Sequence, residues 1–181
     1  MTTDSPLVRY FLPAFLWISL AFAIVLALLL GIAAVSSAFN VDLRFLSAVK
    51  INLGDEKLSL PELQAKGTCK FLMMAAFGLY YLWVLTRFFW TAILTIKKVD
   101  LQNPFTQDVS LLISRVAALA LHLGILNVVV DMVFTLIYCS MIEIEVEFGA
   151  FNFFIVAAIF YWVASIFRRG VDLQSQSDLT I

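Results

Sequence analysis

Histidine and cysteine are nearly missing from this chain, which has one of the former and two of the latter in 181 residues. A self-contained zinc site normally takes four ligands, so the count excludes one, and nothing else in the sequence calls for a cofactor. Charge is scarce as well, at 14% of residues against about 25% in an ordinary soluble domain. The formal net charge of −1 gives no electrostatic case for direct nucleic acid binding. No phosphate-binding loop, HExxH, GxSxG or nucleophile-plus-base pair occurs, so the expectation is a protein that is not an enzyme. No internal repeat of the transporter kind is visible either.

What is there is apolar. Hydrophobic residues make up 62% of the chain, and the mean hydropathy is +0.97. A small domain leaves much of its surface in water, so a core of this length cannot hide such an excess. The solvent must be lipid. Residues 10–35 carry no charge, and as helix they would run about 39 Å, more than the roughly 30 Å hydrocarbon core requires. Ser36-Ser37-Ala38 has the small residues of a cleavage site, but the apolar run is far longer than a signal sequence needs, so a retained anchor is expected. Pro13 falls in the first turns of that helix, where a missing N–H costs least. Further spans are expected at 71–96, 110–141 and 148–167. The single membrane domain then comprises four spans, an insert at 40–70 and a polar tail at 168–181.

The insert reads differently. Ala48-Val49-Lys50-Ile51-Asn52-Leu53 alternates, Gly54-Asp55-Glu56 supplies turn chemistry, and Lys57-Leu58-Ser59-Leu60 alternates again. The pattern predicts a hairpin at about 48–60. Pro61-Glu62-Leu63 could open a short helix that Gly67 would end. An isolated hairpin is marginal in water, and the strict alternation of residues 142–148 offers a third strand. The expected fold is all-α, with four transmembrane helices and a small extracytoplasmic β element. Orientation follows from Lys97, Lys98, Arg168 and Arg169, which place both termini in the cytoplasm, whereas the loop between the third and fourth spans has no Lys or Arg. Arg44, Lys50, Lys57, Lys66 and Lys70 count against this, but they lie in a longer segment that also holds four acidic residues.

The third span holds three ionisable groups, Arg115, His122 and Asp131. Counted inwards from Ser110, they lie about 8, 18 and 31 Å along the helix. Arg115 can therefore snorkel, His122 is near mid-membrane, and Asp131 is near the far boundary. Arg87 lies near the first boundary, so an Arg87–Asp131 pair is excluded for upright helices. His122 is a candidate pH-sensitive group, although a hydrogen bond to a neighbouring helix is the commoner role. Gly124, Asn127 and Asp131 share a face with Ala117, Ala120 and Thr135, which reads as a packing seam or as a polar path. Trp17 and Trp83 are expected to pack between helices, with Tyr10, Trp90 and Tyr138 in an interfacial belt. Cys69 and Cys139 fall at the same end of the second and third spans, where a disulfide is chemically permitted. Glu143, Glu145 and Glu147 lie on one face of an alternating segment, a pattern that equally fits the solvated side of a strand.

Asn103 can cap the third helix, with Pro104 in its first position. The run Asn103-Pro104-Phe105, together with the ending Phe167-Arg168-Arg169-Gly170-Val171-Asp172-Leu173-Gln174 and Asp178-Leu179-Thr180-Ile181, resembles the YoaS-like family of bacterial membrane proteins, a domain of unknown function. The resemblance covers the chain in span order and is most specific at the ending. It implies a bacterial inner-membrane protein and, because such proteins are commonly encoded beside a small helix-turn-helix regulator, a cytoplasmic partner of that kind. Lys97, Lys98, Asn103, Pro104, Phe105, Arg168 and Arg169 would form the docking surface. The expected function is thus a non-enzymatic sensing or regulatory partner. The alternative is a small transporter or channel subunit using the Gly124-Asn127-Asp131 face, which with only four spans would have to assemble as a homo-oligomer.

Overall fold

The computed structural model describes residues 6–39, 50–53, 56–59, 67–99, 105–138 and 148–178. Four helices dominate: α1 (Pro6–Ala38), α2 (Thr68–Lys98), α3 (Gln107–Tyr138) and α4 (Phe148–Asp178). Each contains a stretch long and apolar enough to cross a membrane. Helices are what the composition demands, because backbone groups in hydrocarbon must find partners within their own segment. Between α1 and α2, strands β1 (Lys50–Leu53) and β2 (Glu56–Ser59) pair antiparallel, with Lys50 opposite Ser59 and Leu53 opposite Glu56. The expected third strand lies outside the described residues up to Glu147, and Phe148 already belongs to α4. The short helix expected from Pro61-Glu62-Leu63 and the three glutamates also lie outside them.

The helices pack in chain order. α1 lies on α2, α2 on α3 and α3 on α4, and α1 shares no extensive interface with α4. The arrangement is an open row of antiparallel neighbours, in which α3 has a partner on each side. Its buried positions follow from that. Ala117, Ala120 and Leu123 are sealed, and Val84, Leu123 and Leu126 form a mid-helix core flanked by Tyr81, Leu85, Phe88 and Phe153. A second core lies nearer the α2–α3 connection, where Val109, Ile113 and Ala164 meet Val99, Phe160 and Phe167. Phe11, Phe15, Ile18 and Phe22 of α1 recur at helical spacing and are exposed, as are Ile155, Ile159 and Trp162 of α4. These are the surfaces that lipid would cover.

Local signals explain most boundaries, and some of the expected ones move. Pro6 opens α1, where an N–H would have no partner. Pro13 therefore lies more than a turn inside the helix, beyond the position expected for it. Thr106, not Asn103, caps α3: its Oγ1 accepts from Val109 N–H at 3.4 Å, while its carbonyl accepts from Ser110 N–H at 3.1 Å. Asn103 and Pro104 lie outside the described residues. Gly67 precedes α2 with φ of 140°, a conformation open to glycine and strained for other residues. Lys97 and Lys98 close α2, and Asp108 opens α3, each suited to the helix dipole there. Lys98 Nζ and Asp108 Oδ2 meet at 3.1 Å across the connection, although both side chains are exposed and such a pair contributes little.

The fourth helix differs most from expectation. It does not end near Arg168-Arg169-Gly170 but runs on to Asp178, so much of the supposed polar tail is a helical extension. Gly170 acts as a packing residue there, as described below. Gly124 is similar: a Cβ built on it would lie 3.0 Å from the Phe154 ring of α4. By contrast, a Cβ on Gly31 would meet nothing within 4 Å. Gly124→Val is therefore expected to lower stability by about 1–3 kcal/mol through overpacking, whereas Gly31→Ala should be neutral or slightly stabilising. Reversible unfolding in mixed micelles would compare the two.

Candidate functional site

Polar side chains within these helices mostly bond to their own backbone. Thr86, Thr91 and Thr95 each donate to the carbonyl four residues back at 2.8 Å, and Ser114 donates to Ser110 at 3.0 Å. Interhelical polar contacts are therefore the informative ones. Tyr80 Oη and His122 Nε2 lie 3.0 Å apart, joining α2 to α3. Their rings meet edge-on with centroids 5.9 Å apart. His122 thus has the helix–helix partner that the sequence made its commoner role. Asn127 Nδ2 donates to Tyr81 Oη at 3.3 Å and to the Leu123 carbonyl at 3.4 Å.

The Gly124-Asn127-Asp131 face divides between two neighbours. Gly124 receives Phe154 from α4, while Asn127 reaches Tyr81 on α2. Asp131 is half-buried and is itself engaged. Arg87 is far from it, because the antiparallel register sets Arg87 beside Ala118 and Leu119. The seam is filled with protein along Gly124 and Asn127, so packing is the role that its contacts support.

A groove does open on the α2–α3 pair. It has a volume of about 520 Å³ and is lined by Tyr80, Trp83, Arg87, Arg115, Leu119 and His122, among others. On α2, Tyr80, Trp83 and Arg87 recur at i, i+3 and i+7; on α3, Arg115, Ala118, Leu119 and His122 recur at i, i+3, i+4 and i+7. Both sets are single helix faces. The Arg87 guanidinium carbon lies 5.3 Å from the centroid of the Trp83 ring, which stacks on Tyr80 at 6.0 Å. Trp83 is 56% exposed, so it lines this groove and does not pack between helices as expected. Trp17, although partly exposed, does pack across the α1–α2 pair: it meets Trp90 edge-on at 6.1 Å, with Lys97 Nζ 5.3 Å from its ring centroid. Arg87 and Arg115 are each legible in the sequence as charges within a span, and the structure sets both on the lining of one groove. Counting residues back from Lys98 and on from Gln107 puts them about 16 and 12 Å into their helices, a similarity of level that agrees with this.

At the α2–α3 connection, the expected docking residues are gathered only in part. Phe105 lies against Phe167 with ring centroids 5.3 Å apart, and its ring occupies the space that a side chain at Gly170 would need. Lys97, Lys98, Arg168 and Arg169 are all exposed. Cys69, at the other end of α2, is an exposed free thiol, and Cys139, its possible disulfide partner, lies outside the described residues.

No family model matches the chain, and no curated protein or solved structure does either. The Tyr80–His122 contact can be measured directly. A double-mutant cycle of Tyr80→Phe and His122→Phe should give a coupling of about 0.6 kcal/mol, the usual worth of an interhelical hydrogen bond in a membrane. Unfolding in mixed micelles would read it, and additive effects would mean that the bond contributes nothing.

Proposed function

We propose that this chain is a non-enzymatic protein of a bacterial inner membrane that docks a small cytoplasmic helix-turn-helix regulator. The docking surface is composite, built from the α2–α3 connection and the extension of α4. The observation that carries this reading is the seating of Phe105 on Phe167 and over Gly170, which couples the two segments into one surface. Lys97, Lys98, Arg168 and Arg169 flank it, and an excess of such residues favours the cytoplasmic side. The β1–β2 pair then lies outside, connected through α1 and α2 to that surface. The likeness of the ending to the YoaS-like family, whose members are commonly encoded beside such regulators, supports the choice of partner. The extension is also suited to recognition: Leu173 is 68% exposed, and the residues that follow it up to Asp178 are all polar.

A photo-crosslinking residue at Leu173, with the helix-turn-helix protein encoded alongside co-expressed, should capture that protein. The same residue at Trp162, on the apolar face of α4, should not. Gly170→Val, which displaces Phe105, should reduce capture at least severalfold while the protein still inserts. Equal capture from both positions, or none from Leu173, would reject the proposal.

A further inference from the structure

The α2–α3 groove is cationic, aromatic and open, and the docking surface does not use it. Neither of its guanidinium groups is paired with a carboxylate among the described residues. Arg87 rests on Trp83, and Arg115 is exposed. Unpaired arginines within a span are expensive in hydrocarbon unless they reach an interface or a counter-charge. Both helices are longer than the roughly 30 Å core, at 31 and 32 residues, so each end overhangs. With the overhang shared between the two ends, Arg87 and Arg115 fall about 8 and 3 Å inside one hydrocarbon boundary, from where long side chains can snorkel to the headgroups. From there the groove continues past Trp83 and Leu119 to Tyr80 and His122 near mid-membrane. A charged mouth at the level of headgroups and an apolar channel below it match one chemistry, an anion attached to an acyl chain.

We propose that this groove is a binding site for an anionic glycerophospholipid. Arg87 and Arg115 hold its phosphate, a pairing for which guanidinium geometry is well suited. Its acyl chain lies along Trp83, Leu119 and the Tyr80–His122 pair. Charge complementarity sets the occupant: Lys97, Lys98, Arg168 and Arg169 are at the same end of the helices, so that end attracts anionic lipid before the groove selects it. Thr91 does not compete for the phosphate, because its hydroxyl is donated to the Arg87 carbonyl.

The test uses the full chain in phosphatidylcholine nanodiscs, with Trp17, Trp90 and Trp162 replaced by Phe so that Trp83 alone fluoresces. A low mole fraction of phosphatidylglycerol brominated on its acyl chain is expected to quench Trp83 roughly tenfold more effectively than brominated phosphatidylcholine. Arg87→Gln with Arg115→Gln should abolish that preference, and Arg87→Lys with Arg115→Lys should retain part of it. Inorganic phosphate at millimolar concentration should leave the quenching unchanged. Equal quenching by the two lipids in the parent protein would overturn the proposal, whether or not the Gln variant folds. So would a preference that survives the Gln pair, or displacement by free phosphate, which would assign the site to a soluble anion.

Discussion

Close approach of α3 to two neighbours at once is the constraint on which the structure depends. Lipid chains are as apolar as leucine, so helices in a bilayer gain little from hydrophobicity alone and associate through fit. Ala117, Ala120 and Gly124 supply that fit, letting α4 come near enough for Phe154 to rest on Gly124. Leu123 and Leu126 fill the other side with Val84. The outer helices need less. Among the described residues the extensive interface of α1 is with α2, where Gly78 admits Leu30 and Leu20, Ala23 and Ala33 are buried.

Polar chemistry inside the row sorts itself by distance to a partner. Hydroxyls are short and bond to their own helix, as Thr86, Thr91, Thr95 and Ser114 do. Tyr80 and Tyr81 are long enough to cross, and they take His122 and Asn127 respectively. Adjacent tyrosines thus serve different faces of α2, one lining the open groove and the other entering the core. Ser37 is an exception: its hydroxyl is buried without a partner among the described residues.

The four helices were legible because uncharged length is a strong signal, and each boundary falls within a few residues of its expected place except at the end of α4. There a glycine after two arginines looked like a stop. A glycine that ends a helix and one that admits a ring from another segment are the same letter, and only the position of Phe105 distinguishes them. The capping of α3 was misplaced for a related reason, since Asn103 and Thr106 are both good caps and sequence spacing alone cannot choose between them. Depth arithmetic worked well when applied. It separated Arg87 from Asp131. The same arithmetic sets Arg87 and Arg115 at similar depth, but like charges give no reason to seek a contact between them, so the shared groove is visible only in the structure.

Serial packing also bears on how the molecule is made. Each helix is laid down beside the one synthesised just before it, so its main partner is already in place when it leaves the translocation machinery. Contacts are mostly between sequence neighbours, which keeps the loop-closure cost of assembly small. A closed ring would have required α1 to wait, with a face exposed, for α4. Here no such wait is built in, and the first helix can reach its final environment once α2 is complete at Lys98, long before α4 is made.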